Sequence, residues 1–168
     1  KIPVVIRNSF NSKHPGSRIE QESVPSGKIK GITAIGDMAL INLEGSGMIG
    51  VPGTADRLFT SLKDAGVSVT LISQASSEHS ICIAVPEEVS SKARNVIINA
   101  FSDELKSGQI HSVDITNGQS IVAVVGDGMA GSPGLAAKFF GTLARAGVNI
   151  NAIAQGSSER NISVVIDS

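Results

Sequence analysis

The 168-residue sequence predicts an α+β fold made of two small βαββαβ units. Three observations predict it. The chain repeats itself: shifted by 81 residues, positions 39–85 align with 120–166 without a gap, and 18 of those 47 positions are identical. Two copies are too few for a solenoid and point to a pseudo-symmetric pair. Within each copy the hydrophobic period switches from that of a strand to that of a helix and back. The segment joining the second and third apolar runs is too short for a crossover, so those strands pair antiparallel.

Each element follows from its residues. The apolar runs 39–43 and 121–125 have strand length. A glycine-rich turn follows, and Pro52 and Pro133 mark a helix start, at the first helical position or near it. Ala55, Leu58, Phe59 and Leu62 fall on one helical face, as do Ala136, Phe139, Phe140 and Leu143. Gly66 and Gly147 end these helices as left-handed C′ residues. Strands over 67–72 and 148–154 follow, then a Gln-x-Ser-Ser-Glu loop, then return strands over 80–85 and 161–166.

Copy one continues. Pro86-Glu87-Glu88 is an acidic, proline-led helix start, and Ala93, Val96, Ile97, Ala100, Phe101 and Leu105 make an apolar stripe. Ile110, Val113 and Ile115 suggest a fourth strand before an Asn117-Gly118 turn. The order is ferredoxin-like. Copy two stops at Ser168 after β-α-β-β, while residues 2–6 form an orphan strand. The simplest arrangement has that strand complete the sheet of copy two, with copy one inserted within copy two. The expected division is 1–10 as the completing strand, 11–33 as connector, 34–117 as the first domain and 118–168 as the second.

Composition removes several function classes. Aromatics are 3%, five Phe with no Trp or Tyr, so the core is built from aliphatic residues and little is left to stack on bases. The net charge of −1 provides no basic field for nucleic acid or anionic lipid. No apolar run approaches the ~20 residues that span a bilayer. Neither nucleic acid nor membrane is an expected partner. One cysteine excludes an internal disulfide, and Cys82, between Ile81 and Ile83, reads as a core residue. His14, His79 and His111 have no ligand-like spacing, and no metal site is expected. There is no P-loop, nucleophile elbow or Cys/His pair, so no catalytic residues are assigned. The start at Lys1-Ile2-Pro3 reads as that of a fragment or processed chain.

Gly45-Ser46-Gly47-Met48-Ile49-Gly50 and Gly126-Asp127-Gly128-Met129-Ala130-Gly131 both match G-x-G-x-x-G between a strand and a helix. Against a dinucleotide site, the second strand ends in Gln74 or Gln155 instead of an acidic residue, and a hairpin follows instead of another crossover. Glycines serving only a tight turn are a second reading. The favoured reading is a small-anion site. Free amides and the positive dipole end converge at residues 50–54 and 131–135, including Gly131, Ser132 and Gly134, and suit a carboxylate. Gln74 and Gln155 add an amide that can donate and accept, which suits a ligand hydroxyl or amine. Glu78 and Glu159, the recurrent loop carboxylates, read as hairpin caps instead of acid–base groups. A purely oligomerising module, pairing through Val/Ile-rich edge strands, is the rival without a ligand.

The residues at this point resemble a known family. The repeat resembles the ACT domain, and the tandem pair resembles the regulatory region of bifunctional aspartate kinase–homoserine dehydrogenases. The carriers are residues 2–10 with His14-Pro15-Gly16, Lys30-Gly31-Ile32, the run 71–80 around Gln74-Ala75-Ser76-Ser77-Glu78, and the run 152–165 around Gln155-Gly156-Ser157-Ser158-Glu159. The resemblance implies a kinase part before Lys1 and a dehydrogenase part after Ser168, which would use ATP with Mg and NAD(P), with no cofactor in this segment. It implies L-threonine or another small amino acid as effector, a homo-oligomer, and a bacterial cytoplasmic or plastid setting. The family's binding positions fall on Gly50, Val51, Gly53, Thr54, Ser68, Val69 and Gln74, and in copy two on Asn149, Ile150 and Gln155. Asn11-Ser12 departs from the family's common Asn-Pro.

Overall fold

The computed structural model describes residues 4–19, 27, 29–74 and 79–168. A short antiparallel hairpin, β1 (Val4–Ile6) with β2 (Ser17–Ile19), stands apart from a six-stranded sheet. The sheet comprises β3 (Gly31–Glu44), β4 (Leu71–Gln74), β5 (Ser80–Pro86), β6 (Ser112–Val125), β7 (Ile150–Gln155) and β8 (Asn161–Asp167), in the order β4-β5-β3-β6-β8-β7. Helices α1 (Thr54–Asp64), α2 (Ser90–Ala100), α3 (Ser102–Ser107) and α4 (Leu135–Arg145) connect them.

The central feature is the pair β3 and β6, each 14 residues long and antiparallel from Gly31↔Val125 to Glu44↔Ser112. They lie 81 residues apart, so the repeat extends over both strands. Residues 38–44 pair with β5 on one side, and 40–44 pair with 112–116 on the other; residues 119–125 pair with β8 on one side, and 121–125 pair with 31–35 on the other. Each unit therefore has four strands, and the two long strands belong to both. Residues 31–35, which complete the second unit's sheet, precede the whole first unit in the chain.

Three expectations need correction. The strand that completes the second unit is 31–35, which straddles the expected boundary between the connector 11–33 and the first domain 34–117, and not residues 1–10; among the described residues, Val4–Ile6 pairs with Ser17–Ile19 alone. A backbone donor row is satisfied by any strand of suitable register, and hydrophobicity alone does not name the partner. Asn117-Gly118 is no turn between elements. It sits mid-strand in β6 at a register irregularity, with Gly118 at φ 65, opposite a matching kink where Asp37 has φ 54. The extra residue of a β-bulge meets the same demand for a left-handed backbone as a turn does. The boundary at 117/118 consequently falls inside one continuous strand. The strands expected at 67–72 and 148–154 begin later, at Leu71 and Ile150.

The helices end as expected. Val67 N–H donates to Leu62 O and Gly66 N–H to Lys63 O, both at 2.9 Å; Val148 to Leu143 O and Gly147 to Ala144 O, both at 3.0 Å, repeat the motif. Gly66 and Gly147 have φ 68 and 73. These are Schellman ends, and they satisfy carbonyls the helices would otherwise leave open. Pro52 and Pro133 lie two residues ahead of the first helical residues, Thr54 and Leu135.

Packing differs between the units. In the first, α1 and α2 cover the sheet, and Leu58, Leu62, Ile97 and Phe101 are buried on Ile41, Leu43 and Ile83. In the second, α4 is the one helix on that face among the described residues, and it has no fully buried residue. The opposite faces of the two units form a third cluster, with Met38, Leu40 and Leu71 against Ile121, Ala152 and Val165. Cys82 packs against it, and burial pushes its thiol pKa up. Ser73 Oγ donates to Ile153 O at 2.9 Å, linking the outermost strands β4 and β7 so that the sheet curls toward closure.

A polar trio sits beside the bulge. Gln119, 1% exposed, donates from Nε2 to Asp167 Oδ1 at 3.0 Å, and Asn151 Nδ2 donates to Gln119 Oε1 and to Asp167 Oδ1, each at 2.7 Å. Hydrogen bonds from Gln119 and Asn151 hold the Asp167 carboxyl below its ordinary range. A carboxylate with a depressed native pKa stabilises the fold above its unfolded pKa, and that contribution is lost as pH falls through the depressed value.

Two outcomes follow. Asn151→Ala raises the Asp167 titration midpoint toward the ordinary aspartate range, read from its side-chain carbonyl carbon by NMR. Leu62→Ala costs about 2–5 kcal/mol in urea unfolding, whereas Leu143→Ala at the half-exposed equivalent costs clearly less.

Candidate functional site: two turn-and-helix pockets

Each unit builds the same pocket from the same local pieces. A single 3-10 turn, Ser46–Met48 or Asp127–Met129, follows the long strand and buries its methionine. The chain then turns back, and a glycine in the left-handed region, Gly53 at φ 89 or Gly134 at φ 85, occupies the N-cap. Neither N-cap carries a side-chain hydrogen bond, so the first-turn amides of α1 and α4 have no side-chain cap. Arg57 N–H reaches Gly53 O at 2.9 Å and Lys138 N–H reaches Gly134 O at 3.0 Å, which begins each helical ladder.

Two of the motif glycines in copy one have a packing role. A Cβ on Gly45 would lie 2.3 Å from Gln109 O, and one on Gly47 2.5 Å from Gln109 Cβ. Gly47 N–H donates to the same Gln109 O at 2.9 Å. The chain before β6 thus lies directly against the first two motif glycines of copy one, and the strand after the Gln-x-Ser-Ser-Glu loop is a hairpin return. That crowding in copy one, and the hairpin return in both copies, count against a dinucleotide site.

The first pocket, a cavity of about 330 Å³, brings together Gly50, Val51, Gly53, Thr54 and Gln74 over a floor that includes Met48 and Ile81. The second, of about 300 Å³, brings together Gly131, Ser132, Gly134 and Gln155 over Met129 and Ile162. Ser68, Val69, Asn149 and Ile150 are not brought to either. Val69 packs on the first unit's core, Asn149 Nδ2 bonds Asn151 Oδ1 at 2.7 Å, and Ile150 lines a separate cleft between the sheet faces. The late start of β4 and β7 explains this, because these residues precede the strand ends that face the turns.

Sequence reasoning missed three features. Glu159 does not simply cap its hairpin: its Oε2 accepts the Gly131 N–H at 2.7 Å and its carboxylate lines the second pocket. The recurrence of Glu in both loops was the available signal; Glu78 lies outside the described residues. Gln74 and Gln155 also line one common cleft of about 630 Å³, because β4 and β7 meet. On the far side of the first turn, the Arg57 guanidinium stands 4.1 Å over the Phe101 ring and pairs with Glu104. Its hydrogen bond holds the Glu104 carboxyl below the usual range. Lys138 replaces Arg57 in copy two.

Among the described residues, no group of three or more His, Cys, Asp or Glu could hold a metal ion, and no helix is long and apolar enough to cross a membrane. The arrangement offers uncapped amides, an amide side chain and a small apolar floor, which suits binding of a small zwitterion.

Comparison with known proteins agrees with the resemblance. The ACT domain family model matches residues 41–101 and again 122–168. The chain is 46% identical over 98% of its length to a chloroplastic bifunctional aspartokinase/homoserine dehydrogenase of Arabidopsis thaliana, and 45% identical over 98% to the bifunctional enzyme of Haemophilus influenzae. It spans 19% and 20% of those relatives, about a fifth of their length. Among solved structures, it is similar to aspartate kinase from Clostridium acetobutylicum, with a TM-score of 0.81 and 28% identity over 99% of this chain and 38% of that one. It also matches an aspartokinase alpha and beta subunit structure, with a TM-score of 0.67 and 30% identity over 83% of this chain and 88% of that one. With two copies of the matching fold, the chain belongs to the ACT domain family.

Proposed function

We propose that this chain is the amino-acid-sensing segment of an enzyme that joins aspartate kinase to homoserine dehydrogenase, and that it binds L-threonine for feedback inhibition. The observation that supports this most is the first turn pocket: uncapped helix amides at Gly53 and Thr54 stand across from the Gln74 amide over a small apolar floor. The ligand carboxylate lies on the amides, where the helix dipole favours negative charge. The Gln74 amide meets the hydroxyl, and the methyl rests on Met48 and Ile81. The ammonium meets backbone carbonyls beside the edge strand.

The scale of selectivity follows. Serine lacks one methyl, worth about 0.8 kcal/mol of burial, or about fourfold in affinity. Inhibition of the joined enzyme requires that threonine bind its inactive state better than its active state. Kinase and dehydrogenase chemistry, with ATP and Mg and with NAD(P), belongs on this reading to neighbouring parts of the enzyme. Association of two or more chains through the ACT sheets is part of the same proposal and couples the pockets to the assembly.

Calorimetry on this chain tests the reading. Threonine gives a saturable heat, serine binds about fourfold more weakly, and Gln74→Ala weakens threonine binding by about two- to tenfold, the worth of one neutral hydrogen bond. Absence of saturable heat with threonine, serine and lysine alike overturns it. A preference for lysine replaces threonine as the effector.

A further inference from the structure

The first pocket has a buttress that the second lacks. Its amides stand on the first turn of α1, whose N-cap is Gly53 at φ 89 with no side-chain hydrogen bond. A glycine N-cap leaves such a turn free to fray, because neither a side-chain acceptor nor a Cβ restrains it. Thr54 Oγ1 donates back to Val51 O at 3.2 Å, which ties the turn only to itself.

Arg57 ties the turn to the rest of the unit. Its backbone N–H donates to Gly53 O at 2.9 Å and closes the first helical turn on the N-cap. Its guanidinium lies 4.1 Å over the Phe101 ring and donates to the Glu104 carboxylate. Both partners sit on anchored chain: Phe101 is 1% exposed in the first unit's core, and Glu104 O accepts the Ile110 N–H at 3.0 Å. The same segment holds the start of the turn, since Gly47 N–H donates to Gln109 O at 2.9 Å. Between these two ties lies a cavity of about 230 Å³, and Val51, Gly53 and Thr54 line both it and the first pocket. The wall shared by the two cavities is the turn itself. In copy two, Lys138 stands at the Arg57 position and makes no ion pair or ring contact among the described residues.

We propose that Arg57 is a positioning residue for the first pocket: anchored on Phe101 and Glu104, it holds the first turn of α1 in its binding geometry, a support the second pocket does without. The inference rests on the amino-acid reading above and concerns the affinity of the site, not the identity of its ligand. An ordered turn gives up less freedom when a carboxylate settles on its amides, so pre-organisation is read as affinity. An exposed ion pair and a stacked guanidinium are each modest, and together they correspond to about three- to tenfold.

Two-dimensional amide NMR on the full chain, with threonine as titrant, reads the two turns separately. Arg57→Gln and Glu104→Gln each weaken threonine binding at the Gly53 and Thr54 amides, by up to about tenfold, and leave it unchanged at Gly134 and Leu135. The double variant binds no more weakly than Arg57→Gln alone, because the two side chains act through one contact. Arg57→Lys, which keeps a cation opposite Glu104, recovers part of the loss. Without ligand, the Arg57 amide of Glu104→Gln exchanges with solvent faster than in the unsubstituted chain, and the Lys138 amide exchanges at the same rate. Unaltered affinity at the first turn in both single variants, or equal weakening at both turns, overturns the inference and leaves amino-acid binding standing. Saturable shifts at neither turn of the unsubstituted chain overturn the amino-acid reading and the inference with it.

Discussion

The antiparallel ladder between β3 and β6 carries the rest of the structure. Each strand spends one half in one unit and the other half in its neighbour, so neither four-stranded sheet exists without both. The paired kinks at Asp37 and Gly118 fall where the strands pass from one unit to the other. A bulge increases local twist, and here it lets one ladder serve two sheets whose far strands, β4 and β7, then meet. Gln119 and its partners Asn151 and Asp167 satisfy the buried polar groups beside that bend. A half-satisfied buried amide would cost more than an apolar residue in its place.

This ladder also positions the pockets. Both long strands end one residue before a motif glycine, and each turn folds back over its own sheet onto the end of β4 or β7. The pockets are therefore related by the same pseudo-symmetry as the strands, and Gln74 and Gln155 reach a common cleft across the β4–β7 seam.

Much of the fold was legible in the sequence, because the informative rules are local. Gly66 and Gly147 end helices for a reason held within six residues, and the apolar stripe of α1 needs only its own period. Partner choice is not local. Val4–Ile6 and residues 31–35 are both short apolar runs, and only long-range register separates the strand in the sheet from the strand in the hairpin. Asn117-Gly118 carried a correct signal for left-handed backbone, which a bulge and a turn share. At the site, the recurrence of Gln74 and Gln155 marked a pocket residue in each copy, whereas the bond from Gly131 to Glu159 depends on how a hairpin tip folds over a turn 28 residues away.

The central claim is that a small amino acid rests its carboxylate on the uncapped first turn of α1. Hydrogen exchange measured amide by amide, with and without saturating threonine, tests it most directly. The account predicts marked slowing at residues 53–56, with the central amides of the β3–β6 ladder unchanged. Unaltered exchange at residues 53–56 under saturating threonine, or slowing confined to the ladder, would contradict it.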